Sequence, residues 1–220
     1  MDENQNRESN FKQETRDTIN TAKEQMKNFN FKGEVEAGKG LFKRLWSDPI
    51  NAIKDIVSDS ENKVFKTSIL LLAIWLVLVI LERIIYYASN KYVDFEFLPV
   101  LKLFLSPILG IIAMTAAIYL LNKKSPKSIV TIITTVIVAR IPLIITELLG
   151  LLYYISSNVT YVTAPISKIL NVITVLLTFF GIKFITEEED NAKAFKFFVI
   201  VEGVYCLIYF VLRFLGIYIA

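Results

Sequence analysis

Four charged residues lie inside long apolar stretches of this chain, and they are the side chains best suited to chemistry. They are Arg140, Glu147, Glu202 and Arg213. A charge in hydrocarbon costs about 2.5–3.5 kcal/mol on insertion scales unless it is paired or hydrated. Each of these residues therefore needs a partner, contact with water or a function. Three roles are open to them: an ion pair, a proton or ion path, or a simple water-facing position.

The spacing of these charges along two predicted membrane spans indicates how they could pair. Seven residues separate Arg140 from Glu147, and eleven separate Glu202 from Arg213, so each two share a helix face. At 1.5 Å per residue, Arg140 lies about 18 Å from the start of its span and Glu202 about 12 Å from the start of its own. Glu147 and Arg213 both lie about 28 Å from the starts of their spans, so the opposite charges match in depth. We therefore predict two ion pairs, Arg140–Glu202 and Glu147–Arg213, which join spans three and five. Glu82 and Arg83 lie near the outer end of span one. They either join the outer layer of charges, formed by Glu147 and Arg213, or lie at the membrane interface.

A proline follows the first of these charges. Pro142 lies two residues after Arg140 and predicts a kink in span three, because proline lacks the amide hydrogen that continues a helix. Hydroxyl groups of threonines in the spans, such as Thr134 and Thr174, are expected to bond back to their own helices.

The residue inventory excludes most kinds of active site. The chain has no histidine and one cysteine, which rules out a Cys/His zinc site, haem ligation by histidine, a Ser–His–Asp triad and an internal disulfide. It has no P-loop and no GxGxxG motif. The net charge of +3 gives no reason to expect nucleic acid. We expect no enzyme, no cofactor, no metal and no nucleic-acid partner.

The elements that must position these charges follow from an uneven composition. Of the 220 residues 54% are hydrophobic, but only 20 of the first 66 are. Beyond that region, five stretches are long enough to cross about 30 Å of hydrocarbon as helices, the form that satisfies every backbone group in lipid. The predicted spans are 67–88, 98–121, 128–154, 164–185 and 194–218. The predicted fold is all-α: a polytopic membrane protein with a five-helix transmembrane domain over 67–220.

Basic residues in the short loops predict the orientation. Lys123, Lys124 and Lys127 lie between spans two and three, on the same side as the N-terminal region and its 12 basic residues. By the positive-inside rule the N-terminus is cytoplasmic and the C-terminus outside, in a multi-pass protein of the cell membrane. The Asn158–Thr160 glycosylation pattern falls in an outer loop, and in a bacterial protein it would be chance.

The region before span one divides into two predicted parts. Residues 1–38 form a polar tail that is disordered or transiently helical. Residues 39–66 form two amphipathic membrane-surface helices, joined where Asp48 caps the second helix and Pro49 takes its first position. The apolar face of the first helix consists of Leu41, Phe42, Leu45 and Trp46. This face either contacts lipid or packs on the ends of the spans.

These features together resemble the Yip family, five-span membrane proteins related to Rab/Ypt-interacting proteins, in its bacterial branch. The resemblance covers about residues 41–218 and rests on the Trp46-Ser47-Asp48-Pro49 element before five spans, the tiny loops, Pro142 in span three and the short end after span five. It implies a non-catalytic membrane scaffold or interaction protein. Its partners would be the lipid bilayer, a protein that docks on the N-terminal region from the cytoplasm, and a second copy of the chain.

A different function is also compatible with the sequence. Charges near a broken helix are how many transporters build their sites. The alternative is therefore a small-solute or ion transporter, or a channel component, that uses Arg140, Glu147 and Glu202. No inverted repeat is visible, which favours the scaffold.

Overall fold

The structure is a computed structural model, and it is built from helices. It describes residues 13, 16, 17, 19–21, 23, 24, 26, 27, 29–59, 61–90, 93–122, 127–154 and 159–214. The helices of residues 29–214 are α1 (Phe31–Ser47), α2 (Pro49–Ser58), α3 (Phe65–Ser89), α4 (Phe97–Leu121), α5 (Ile129–Ala139), α6 (Ile141–Tyr153), α7 (Thr160–Ile185) and α8 (Asn191–Phe214). Within the described ranges there is no strand, and five segments are long and apolar enough to cross a membrane. The predicted all-α, five-span fold class is confirmed.

The five spans are α3, α4, α5 with α6, α7, and α8, and they run up and down in turn. We call proximal the end where span one begins, and distal the opposite end. Two contacts tie the proximal end together. The Nζ of Lys127, before α5, lies 3.0 Å from the Oε1 of Glu187, after α7. The hydroxyl of Thr131 in α5 donates to the Oδ1 of Asn62, before α3, at 3.0 Å.

Several boundaries of the spans differ from the predicted ones. Span four begins at Thr160 rather than 164, and span five begins at Asn191 rather than 194. The predicted end of span five at 218 lies outside the described residues, as do Lys123, Lys124 and Asn158 of the loop assignments.

The predicted border between tail and surface helices at residue 39 is wrong, because it falls inside α1. The helix begins at Phe31, where the Oδ1 of Asn30 accepts a hydrogen bond from the Gly33 N–H at 3.3 Å. A tertiary contact stabilises the first turn of this helix: Thr67 donates its hydroxyl hydrogen to the Oε2 of Glu34 at 2.6 Å. The described residues between 13 and 27 are also helical.

Span three is interrupted at Arg140. The helix α5 ends at Ala139, and Arg140, with φ −94° and ψ 1°, links it to α6. Its amide donates to the carbonyl of Ile137 at 3.0 Å, a bond one residue shorter than in an α-helix. Pro142, at the second position of α6, has no amide hydrogen to donate back across the break. Pro107 and Pro165, by contrast, lie inside the continuous helices α4 and α7.

The apolar face of α2 is buried against the spans. Ala52, Ile53, Ile56 and Val57 are 0–5% exposed. They belong to cores shared with the proximal parts of α5 and α7. The structure therefore assigns α2 the packing role, with burial of apolar surface as its physical cause.

The apolar face of α1 is partly packed on protein and partly exposed. Leu45 is buried and Leu41 packs against the same core, so these two contact protein. Phe42 and Trp46 are exposed on the outside, and so is Ile50 at the start of α2.

The helix α2 lies beside the spans rather than across their ends, and Ile53 reaches a place where α5 and α7 are close together. A Cβ atom added to Gly181 of α7 would lie 2.8 Å from the Cγ2 of Thr135 and 3.9 Å from the Cγ2 of Ile53. At 1.5 Å per residue, Thr135 lies about 9 Å along α5 and Gly181 about 6 Å from the end of α7. Of the two alternatives for the surface helices, α2 follows the packing one.

Candidate functional site

The polar side chains of the spans converge on a cavity in the middle of the bundle. This central cavity has a volume of about 230 Å³ and lies between α3, α4, the α5–α6 junction and α8. Its polar lining residues are Trp75, Ser106, Arg140, Glu147 and Tyr205. The rest of the lining consists of aliphatic side chains, Pro107 and Gly110. Two of the four charges singled out in the sequence therefore share one cavity.

Arg140 enters this cavity from the break in span three. Its guanidinium carbon lies 5.4 Å from the centroid of the Tyr205 ring, a cation–π contact. Glu202, one turn before Tyr205 on α8, is close enough for the opposite charges to attract each other. Among the described residues no nitrogen–oxygen distance of 4.0 Å or less joins the two. The structure brings this predicted pair close together without a salt bridge.

Glu147 has partners on span one instead of span five. Its Oε1 accepts a hydrogen bond from the Nε1 of Trp75 at 3.3 Å. Its carboxyl group also lies against the carboxyl group of Glu82, one span away. Two neighbouring carboxyl groups in a low-dielectric interior attract a positive charge more strongly than one does. This pair can therefore accept a cation.

The predicted Glu147–Arg213 pair is not formed. Arg213 is exposed on α8, and no ion pair of the described residues involves it. The reason is the order of the helices: α8 packs mainly against α4 and α7, whereas α6 packs against α3 and α7. Equal depth along two helices does not make them neighbours.

A second cavity begins on the other side of Glu147. This distal cavity has a volume of about 310 Å³ and lies between α3, α6 and α7. Its polar lining residues are Glu82, Thr146, Glu147, Tyr153, Thr160, Thr163 and Ser167. Gly150 leaves the room for the Glu82 side chain, since a Cβ atom there would lie 3.2 Å from its Oε1. Glu147 separates the central cavity from the distal one.

The residue after Glu82 sits among aromatic rings. The guanidinium carbon of Arg83 lies 4.6 Å from the centroid of Tyr86 and 5.1 Å from that of Tyr87. Its Nε atom is buried and has no hydrogen-bond partner among the residues that the structure describes. These contacts place Arg83 in an aromatic layer near the distal end of span one, as is common where a span meets the interface.

Sequence reasoning missed Trp75 and Gly150 as parts of the site. A signal for Trp75 exists, because it precedes Glu82 by seven residues, the spacing that separates Arg140 from Glu147. The two residues of α3 thus share a face and meet Glu147 together. Gly150 carries no comparable signal, because a glycine in a span is a common packing residue.

Four threonine hydroxyl groups of the spans bond to their own helices. Thr134, Thr135, Thr174 and Thr178 each donate to the carbonyl four residues earlier, at 2.8–3.0 Å. Such bonds leave these hydroxyl groups no free hydrogen for other chemistry. Within the described ranges no cluster of three or more acidic, cysteine or histidine residues could hold a metal ion.

Comparison with known proteins adds no assignment. No family model matches this chain, and no curated protein and no solved structure is similar to it.

Proposed function

We propose that the protein is a non-catalytic scaffold of the Yip type, a multi-pass protein of the cell membrane with its N-terminus in the cytoplasm. The observation that carries this proposal is the incorporation of α1 and α2 into the bundle. Ile53 is fully buried, and a salt bridge between Arg44 and Asp55 joins the two helices on the outside. A platform that is already ordered loses little conformational entropy when a partner binds.

The outer face of this platform has the chemistry of a docking surface. Phe42, Trp46 and Ile50 are 38–47% exposed, and the rings of Phe42 and Trp46 are 6.1 Å apart. Lys39 and Lys43 lie on the same helix and are exposed. Aromatic side chains beside basic ones favour a partner with apolar and acidic groups, or an anionic membrane surface.

A capture experiment with point substitutions tests the docking role, since removal of residues 1–66 would also remove part of the core. The full chain and the double variant Phe42→Ala/Trp46→Ala are purified from membranes after crosslinking. The wild-type protein is expected to recover a partner that the double variant loses. A control, Phe195→Ala, removes an exposed ring at the proximal end of α8 and should retain the partner. Equal recovery by the wild type and the double variant would contradict the proposal.

Cysteine labelling tests the orientation. In a Cys206→Ser background, one cysteine is placed at Glu61 before α3 (E61C) or at Asp94 between α3 and α4 (D94C). In intact cells a membrane-impermeant maleimide should label the cysteine at 94 and not the one at 61. The reverse result would show that the N-terminus is outside.

The two cavities favour a second function, transport of a small solute or ion. The central and distal cavities meet at Glu147, so a solute or a proton has polar groups on both sides of one carboxyl. In proteoliposomes, substrate-dependent flux should be lost in Glu147→Gln and retained in Arg213→Gln. Flux that is equal in wild type and Glu147→Gln would exclude this role for Glu147.

A further inference from the structure

The central cavity contains two opposite charges that do not pair with each other. Arg140 and Glu147 both line it, from one face of span three. Seven residues correspond to about 10 Å along the helix axis. Within the described part of the chain no ion pair joins them. A ligand that bridges this gap must be positive at one end and negative at the other.

At the Arg140 end the geometry suits a carboxylate. The guanidinium carbon lies 5.4 Å from the centroid of the Tyr205 ring, and none of the hydrogen bonds found among the described residues involves the guanidinium. A ring holds the cation by its charge and accepts none of its in-plane N–H hydrogen bonds. Two parallel N–H groups match the two oxygens of a carboxylate.

At the Glu147 end the geometry suits an ammonium group. Trp75 donates its indole N–H to one carboxyl oxygen and so orients the group. Glu82 lies against the same carboxyl from the side of the distal cavity. An ammonium group beside Glu147 in the central cavity gains charge attraction in a low-dielectric site.

Between the two ends the walls are apolar. Val79, Leu103, Pro107 and Leu143 line the space, whose volume is about 230 Å³. An uncharged side chain fits such walls, whereas a further charge would be buried without a partner. A zwitterion offers an opposite charge to both Arg140 and Glu147, whereas a ligand with one charge offers it to only one of them.

We propose that the central cavity binds a small zwitterion, an α-amino acid with an uncharged side chain, with its carboxylate on Arg140 and its ammonium on Glu147. This inference deepens the solute-transport function proposed above by naming the class of solute. It requires only binding, so it can be tested without any measurement of flux.

The test compares amino acids with analogues that lack one charge. The purified full chain in lipid nanodiscs is titrated with L-leucine and L-phenylalanine by calorimetry. The matched analogues are 4-methylpentanoate and 3-phenylpropanoate, which lack the ammonium, and 3-methylbutylamine and 2-phenylethylamine, which lack the carboxylate. We expect saturable binding of at least one amino acid and binding at least about tenfold weaker for its analogues, since the loss of one charged contact costs about 1.5–3 kcal/mol.

Substitutions locate the binding. Arg140→Gln should weaken binding at least about tenfold, and Arg140→Lys should weaken it less, because lysine keeps the charge and loses the fork. Arg213→Gln, on the exposed face of α8, should bind as the wild type does. The thermal unfolding midpoint of each variant shows whether it is folded.

Three outcomes would overturn the inference. One is the absence of saturable binding for both probes and for the other uncharged proteinogenic amino acids. Another is equal binding of the carboxylate analogue, which would indicate a simple anion site. The third is unchanged binding by folded Arg140→Gln. Ion flux without amino-acid binding would contradict this inference and leave the transport function intact. Amino-acid binding without flux would support this inference and contradict the transport function.

Discussion

The two segments of span three have similar composition but very different surroundings. In α5, nine of eleven residues are buried, whereas in α6 only Ile141 and Pro142 of thirteen are. The helix α2 covers α5 on the proximal side, and the described residues contain no additional helix that covers α6 on the distal side. The same span is therefore part of a dense core in one half and part of two cavity walls in the other.

The polar groups follow the same division. In the proximal half they are threonines such as Thr134 and Thr135, whose hydroxyls are satisfied by their own backbone. In the distal half they are charged side chains such as Glu147, which need partners from other spans. The proximal half is therefore the densely packed part of span three and the distal half holds its charged groups, with Arg140 at the border.

The largest effect is expected from a core residue of α2. Ile53→Ala removes a fully buried side chain and should lower the free energy of unfolding by about 2–5 kcal/mol, because it leaves a cavity in the proximal half. The matched control Ile50→Ala, at a position 43% exposed, should change it by less than about 0.5 kcal/mol. Unfolding by SDS in mixed micelles measures both. Similar values for the two variants would mean that α2 is not part of the core.

A pair of glycines tests the density of the proximal half. Gly181→Ala places a methyl group where only 2.8 Å separates it from the Cγ2 of Thr135, so α5 and α7 must move apart, at a cost of about 1–3 kcal/mol. Gly203→Ala, with no atom within 4 Å of its Cβ position, should leave the unfolding free energy unchanged or raise it. An unaffected Gly181→Ala variant would show that the contact is easily relaxed.

The indole of Trp75 in span one binds Glu147 in the distal half of span three. Trp75→Phe removes the N–H that binds the Oε1 of Glu147 and should lower the free energy of unfolding by about 1 kcal/mol, the typical net value of a hydrogen bond. Trp46→Phe, at an exposed position, serves as the control and should have no measurable effect. A larger loss in the control than in Trp75→Phe would contradict the assignment.

The smallest effect is expected at the glycine of the distal cavity. A Cβ at Gly150 would lie 3.2 Å from the Oε1 of Glu82, the end of a flexible side chain that can move aside. Gly150→Ala should therefore change the free energy of unfolding by less than about 0.5 kcal/mol. The decisive comparison is with Gly181→Ala in the same SDS assay. Equal losses would mean that both halves of the bundle are packed alike.

The sequence by itself determined the number of spans and several helix ends. A stretch of about 20 apolar residues has one stable form in lipid, a helix, whatever surrounds it. Local capping is similarly independent of the fold: α2 begins at Pro49, and the Oδ1 of Asp48 accepts from the Asn51 N–H at 3.4 Å. Pro142 also acts locally, at the interruption of span three.

Only the tertiary structure decided which charges meet. Spacing gives the depth of Arg213 and the face of Glu147, but it does not give the order of the helices or the rotation of each about its axis. The order places Trp75 and Glu82, rather than Arg213, beside Glu147. The place of α2 was decided in the same way, because the core that Ile53 joins is formed by residues of different spans, such as Val138 and Leu177. Contacts between distant parts of the chain depend on how whole helices pack, and no local pattern of residues contains that information.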